Sequence, residues 1–206
     1  MPIKTDREYR RIDVGSLVLP EGGEEIVEGY ATTFNQEYTL WDDGEYRVNE
    51  SIDAHAFDET DMSDVIMQYD HVGRVFARVK NDTLQLSTDD HGLKIRAYLG
   101  GTDIGKQLYQ EIKGGYTDKM SFGFTVAKDE RTEDRDHEAN KTTIHRKITA
   151  IKKLYDVSAV SLPANDATEI SARSYGEGVI ATAREEFAAS MERKRRIQRI
   201  KLLMEV

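Results

Sequence analysis

The chain has 206 residues, of which 33% are charged and 38% apolar, enough for one domain with a sizeable core and an appendage. No apolar run approaches the roughly 20 residues of a membrane span, and residues 1–11 lack the apolar stretch of a secretory signal, so we expect cytosolic synthesis. The chain contains no cysteine, which excludes disulfides, thiolate metal sites and a cysteine nucleophile.

The net charge of −9 is unevenly distributed along the chain. From Ser171 onward there are eight Lys/Arg against five Asp/Glu, a net +3, whereas the preceding 170 residues hold 21 against 33, a net −12. An acidic body repels nucleic acid at long range, so we expect no specific nucleic-acid partner. The lack of a long apolar run leads us to expect no membrane partner. The basic C-terminal segment needs a separate explanation.

Most of the first 170 residues show the alternation of apolar and polar side chains that is typical of β-strands. The turn signal Asp42–Glu45 predicts a hairpin between Leu40-Trp41 and Tyr46–Val48. A second turn signal at Asp89–Gly92 precedes a strand whose apolar face consists of Leu93, Ile95 and Ala97.

One internal helix is indicated by its caps and its period. Thr102 is a good N-cap residue, and Ile104, Leu108 and Ile112 recur every four residues to form one apolar stripe. The pair Gly114-Gly115 ends the pattern. We therefore predict a helix that leads directly into the next strand.

That next strand, Lys119-Met120-Ser121-Phe122-Gly123-Phe124, carries the strongest functional signal. Side chains alternate between the two faces of a strand, so Met120, Phe122 and Phe124 point into a core while Ser121 and Gly123 lie on the other face. We expect that face to be open to solvent. A serine beside a glycine on such a face would let a substrate backbone approach closely.

Two other residues are candidate partners of Ser121. A serine hydroxyl needs a base such as imidazole, and His71 follows Asp70 in a suitable polar segment. Asp156 lies inside an apolar strand, where an unpaired carboxylate costs several kcal/mol, so it requires a partner. That partner is either His71, as in a serine protease, or a structural arginine such as Arg74 or Arg78.

The remaining histidines are weaker candidates for a catalytic base. His91 lies in a predicted turn, His137 in a polar stretch and His145 on a solvated strand face. His55 precedes Ala56-Phe57 and is a candidate for burial. No pair of histidines has zinc-site spacing with a carboxylate. There is no phosphate loop or dinucleotide motif. We therefore expect no metal and no cofactor.

The C-terminal third divides into a polar stretch, a strand and a helical tail. Lys128–Thr142 is almost wholly polar and predicts a solvated, mobile hairpin tip. We assign residues 1–170 to one domain, 171–178 to a small-residue linker and 179–206 to an amphipathic helix. The apolar face of that helix is formed by Ala183, Phe187, Met191, Ile197, Ile200 and Met204.

Several segments in order resemble the prohead (capsid maturation) proteases of tailed bacteriophages. The set extends from about residue 26 to residue 170, and each motif is weak alone but the ordered set is specific. The matching segments are Val27–Phe34, Glu50–Ile52 with Ala56-Phe57, Asp70-His71 with Gly73–Val75, Gly92-Leu93, Met120–Phe124 and Asp156–Asn165.

The resemblance implies an α+β fold, mainly an antiparallel β-barrel of the herpesvirus-assemblin type with flanking helices. It implies a serine endopeptidase with Ser121 as nucleophile, His71 as base and Asp156 as third member. Many relatives place a glutamate at this third position, and the herpesvirus enzymes use a second histidine. Because Asp is one methylene shorter than Glu, either its strand lies closer to His71 or a water intervenes.

The resemblance also implies a substrate and a place of action. The substrate would be the scaffold segment of the major capsid protein, together with the protease itself, inside the immature capsid in the host cytoplasm. Two rival interpretations remain: a catalytically inactive β-barrel that serves as a capsid or scaffold component, and an unrelated ligand-binding barrel. Backbone N–H groups near Ala164-Asn165 are candidate oxyanion donors.

Overall fold

A computed structural model of the protein describes residues 7–12, 17–20, 24–136, 138, 140–160, 178, 180–186, 188–189, 192–193 and 195–197. The described residues of the body form ten strands and one α-helix. The strands are β1 (Glu8–Ile12), β2 (Ile26–Thr33), β3 (Tyr38–Asp42), β4 (Tyr46–Ile52), β5 (Ile66–Tyr69), β6 (Val72–Arg78), β7 (Leu84–Thr88), β8 (Gly92–Tyr98), β9 (Lys119–Asp136) and β10 (Lys141–Val160), and the helix is α1 (Asp103–Lys113).

The strands form two sheets. The larger sheet has seven strands in the order β1-β9-β10-β4-β3, with β5 paired to β10 and β6 paired to β5. The smaller sheet has the order β2-β8-β7. Both sheets and α1 contribute to one hydrophobic core, which includes Val27, Ile95, Leu108, Phe122 and Val157.

The predicted α+β class is confirmed, because strands dominate and helices are few. The more specific expectation of an assemblin-type barrel is not met by the described strands. A barrel requires its first and last strands to pair, whereas the larger sheet ends at β1, β3 and β6 and the smaller one at β2 and β7. The strands therefore form two sheets across a shared core.

The predicted helix and the predicted hairpin are both present. The Thr102 hydroxyl accepts a hydrogen bond from the Gly105 backbone N–H at 3.1 Å, and Leu108 and Ile112 are buried. Beyond the helix, Gly115 adopts φ +74, the left-handed conformation that favours glycine. The hairpin joins β3 to β4 at the predicted turn.

The polar stretch at residues 128–142 differs from the expected hairpin tip. β9 and β10 stay paired out to Asp136 and Lys141, and β4 pairs with β10 in parallel from Thr142 to Ile148. Main-chain ladder hydrogen bonds do not require apolar side chains, so this stretch is strand despite its composition. Of the described residues in this stretch, 138 and 140 lie in a turn outside the ladder.

The described residues between 178 and 197 are helical. Ile180 and Ala183 are buried against Val48 and Ile144, in a second apolar cluster, whereas Ile197 is exposed. The other predicted apolar positions of the tail, and residues 171–177 of the predicted linker, lie outside what the structure describes.

Candidate active site

Ser121 lies on β9 with the predicted alternation of side chains. Met120, Phe122 and Phe124 are buried in the core, and the two phenyl rings stack 4.6 Å apart. The expectation of an open face around Ser121 is wrong, since Ser121 is only 1% exposed. β1 pairs with β9 and places Arg11 opposite Ser121, so the edge of the strand is covered.

His71 lies in the two-residue turn between β5 and β6. Tyr69 pairs with Val72, and the intervening Asp70 and His71 have φ +48 and +60. Positive φ at both central residues is the pattern of a type I′ hairpin, and Asp and His are among the non-glycine residues enriched in that region. Because β5 neighbours β10, this turn lies beside the strand that bears Asp156.

The structure brings Ser121, His71 and Asp156 together in a hydrogen-bonded series. The His71 Nε2 atom lies 2.5 Å from Ser121 Oγ, and His71 Nδ1 lies 2.5 Å from Asp156 Oδ1. A carboxylate only accepts, so Nδ1 carries the proton in the neutral ring and Nε2 is left to accept from the serine hydroxyl. The shorter Asp side chain therefore reaches His71 directly, without a bridging water.

Asp156 is fully buried and has two further partners. The Ser158 hydroxyl donates to Oδ1 at 2.9 Å, and the Arg7 guanidinium forms an ion pair with Oδ2. The candidate arginine Arg78 instead forms a bidentate ion pair with Asp64. Arg7 and Ser158 were not predicted from the sequence, because no local pattern places Arg7 next to a strand about 150 residues away.

The protonation state of His71 is set by its surroundings. Burial lowers the pKa of His71, and the positive charge of Arg7 lowers it further, to about 4. Arg7 also holds the second oxygen of Asp156, which limits how far this carboxylate stabilises an imidazolium. His71 is therefore neutral at neutral pH, the state in which it can accept a proton.

Three other histidines have different partners. His55 is exposed, contrary to the expectation of burial, and bonds Asp58; His91 contacts the Tyr30 ring edge-on; His145 bonds Glu37. Among the described residues, no group of three His, Cys, Asp or Glu side chains is arranged to hold a metal ion. His137 and the candidate oxyanion donors at Ala164-Asn165 lie outside the described residues.

Comparison with known proteins identifies the family of the chain. The family model described as "Caudovirus prohead serine protease" matches residues 12–179. Neither the curated proteins nor the solved structures contain a match. Within the described part of the chain, no helix has both the length and the apolar composition to cross a membrane. The match covers most of the chain, which therefore belongs to the caudovirus prohead serine protease family.

Proposed function

We propose that the protein is a serine endopeptidase of capsid maturation in which Ser121 is the nucleophile, His71 the general base and Asp156 the residue that orients His71. The observation that carries the proposal is the hydrogen-bonded series of these three side chains. A hydroxyl, an imidazole and a carboxylate in this order form the arrangement that activates the serine of many serine proteases.

In the proposed reaction, Ser121 Oγ attacks the carbonyl carbon of the scissile peptide bond and its proton passes to His71 Nε2. Asp156 accepts the Nδ1 hydrogen bond and stabilises the imidazolium that forms. The imidazolium then protonates the leaving amine, and the C–N bond breaks to give an acyl-enzyme. His71 next deprotonates a water that hydrolyses the ester and restores Ser121.

The proposed substrate is the scaffold segment of the major capsid protein, together with the protease itself, inside the immature capsid in the host cytoplasm. Family membership supports a capsid-protein substrate. We further propose that residues 171–178 are a cleavable linker and that the basic helix 179–206 directs the enzyme into the assembling shell. The rival function, an inactive capsid or scaffold component, does not require a serine and a histidine with this geometry.

The test is cleavage of the capsid protein from the same phage, co-produced with the protease and analysed by intact-mass spectrometry. We expect cleavage with the native chain and none with Ser121→Ala. Ser87→Ala is the matched control, because Ser87 also lies on a strand but is exposed. Cleavage that survives in Ser121→Ala, or no cleavage with the native chain, contradicts the proposal.

A further inference from the structure

β1 covers the catalytic side chains. It pairs antiparallel with β9, with Tyr9 opposite Gly123 and Arg11 opposite Ser121. The side chain of His71 is 3% exposed and that of Asp156 is fully buried. The Tyr9 ring meets the His71 ring edge-on at 4.5 Å between centroids. A polypeptide substrate therefore cannot reach Ser121 while β1 is in this position.

The main chain of β1 also contacts the nucleophile. Ser121 Oγ lies 3.0 Å from the backbone carbonyl oxygen of Arg10, as well as 2.5 Å from His71 Nε2. The hydroxyl has one proton, so Arg10 competes with His71 for it. A peptide carbonyl thus lies beside Ser121, in an extended strand that adds to a sheet edge, the arrangement by which many proteins bind peptides.

Two side chains of β1 enter a buried charge cluster on the opposite face of the strand. Arg10 donates to both carboxylate oxygens of Glu50, at 2.5 and 3.0 Å. Two positions earlier, Glu8 accepts from both terminal nitrogens of Arg146, at 2.8 and 3.1 Å. All four residues are at most 7% exposed. The acidic Glu8 and the basic Arg10, two positions apart on β1, are therefore each bound by a side chain of opposite charge.

The sites that hold these side chains belong to the body of the protein. Glu50 on β4 accepts from Tyr38 at 2.5 Å and from Arg146 at 2.6 Å. Arg146 on β10 donates to Asp129 on β9 at 2.6 Å. These contacts do not involve β1, so they hold Glu50 and Arg146 in place and charged when β1 leaves.

We propose that the β9 edge beside Ser121 is the peptide-binding site, that β1 fills it here, and that Glu50 and Arg146 select a basic and an acidic side chain two positions apart. The ligand is thus an extended peptide with the pattern acidic-X-basic. That this site is where the substrate binds rests on the proposed function of Ser121 as the nucleophile.

The alternative is that β1 is a permanent edge strand and the charge cluster only attaches it. The two readings differ in whether a second peptide can take the position of β1. A permanent strand leaves no site for an added peptide, whereas a displaceable one leaves a site with a defined charge order.

The experiment measures binding of two labelled peptides to the full chain by fluorescence anisotropy. One is Asp-Arg-Glu-Tyr-Arg-Arg-Ile, the sequence of residues 6–12; the control, Asp-Arg-Arg-Tyr-Glu-Arg-Ile, exchanges one Glu and one Arg and keeps the composition. The chain carries Ser121→Ala to prevent turnover and Arg10→Gln to weaken its own β1. Circular dichroism and thermal unfolding check that this double variant is folded. If the double variant does not fold, the Ser121→Ala single variant is used in its place.

We expect the native-order peptide to bind at least about tenfold more tightly than the control. Adding Glu50→Gln should lower this ratio, because only Arg146 then distinguishes the two peptides. Equal binding of the two peptides, or binding of neither, overturns the inference, and this comparison is decisive even where Glu50→Gln does not fold. If the two peptides bind equally but cleavage depends on Ser121, the peptide-binding inference is wrong and the proposed function stands. If the native-order peptide is clearly preferred but the native chain cleaves nothing, only the proposed function is wrong.

Discussion

Gly123 lies directly across the β9–β10 ladder from Asp156, and a Cβ atom placed on this glycine would come within 2.5 Å of the Asp156 Oδ2 atom. The same Cβ would lie 2.8 Å from the Tyr9 ring and 2.9 Å from Arg7 Nε. The glycine therefore makes room for the buried carboxylate and for the strand that covers it. The sequence predicted a close backbone approach beside Ser121, and in the structure β1 makes that approach.

We predict that Gly123→Ala lowers kcat for peptide cleavage by about 10²-fold, because the new methyl group displaces the Asp156 carboxylate from His71 and misplacement of about 1 Å has an effect of this size. The measurement is steady-state kinetics on a capsid-derived peptide. Gly101→Ala is the control, since its Cβ would meet only the Tyr98 ring, at 3.8 Å. Equal kcat values for the two variants would count against a catalytic role for the Asp156 position.

The proposed base, His71, and the residue proposed to orient it, Asp156, should differ in the size of their effects on kcat. His71→Ala removes the proton acceptor and should reduce kcat by about 10⁶-fold, whereas Asp156→Asn leaves the imidazole present and should reduce kcat by about 10⁴-fold. The comparison uses kcat at pH 8 with the same peptide. His91→Ala is the control, because His91 contacts Tyr30. A neutral Asp156→Asn with an inactive His91→Ala would instead assign the third role to a histidine.

His71 should titrate below the ordinary histidine range. Burial and the charge of Arg7 lower the pKa of His71 to about 4, against 6.5 for a free histidine. We expect Arg7→Gln to raise this pKa, since it removes a nearby positive charge. NMR titration of the His71 ring measures both values, and Lys113→Gln on α1, an exposed residue, controls for the loss of one charge. A His71 pKa at 6.5 or above in the native chain contradicts the assignment.

The lowered pKa of His71 also affects stability. Between about pH 4 and pH 6.5, His71 binds a proton in the unfolded chain but not in the folded chain. His71 therefore makes the free energy of unfolding decrease as the pH falls from 6.5 toward 4. Urea unfolding at pH 7 and pH 4.5 measures the decrease, and His71→Gln should make it smaller. An equal pH dependence in the native chain and in this variant would contradict the linkage.

The proposed loss of the tail is tested by mass. In mature particles, we expect the native protease to lack residues beyond a cut between 171 and 178, because small polar linkers are preferred sites of proteolysis. Ser121→Ala should remain full length in the same assembly, which separates self-cleavage from cleavage by host enzymes. Intact-mass spectrometry gives the result, and a full-length native chain in mature particles would contradict the proposal.

The local elements of this protein were predictable from the sequence because their causes are local. Thr102 and Gly114-Gly115 delimit α1 through contacts within a few residues, and the alternation at Met120–Phe124 follows from the geometry of one strand. The family resemblance named Ser121, His71 and Asp156 as one set. These signals need only residue types and their order along the chain.

The remaining features depend on pairings between distant segments. Glu8 and Arg146 are 138 positions apart, and only the order of strands in the larger sheet brings them together. The contacts of Arg7 with Asp156 and of Arg10 with Ser121 likewise arise because β1 takes the edge of β9. The sequence of a strand does not specify which sheet edge it joins. The sequence therefore predicted which side chains form the candidate site, whereas the tertiary structure decided what covers them.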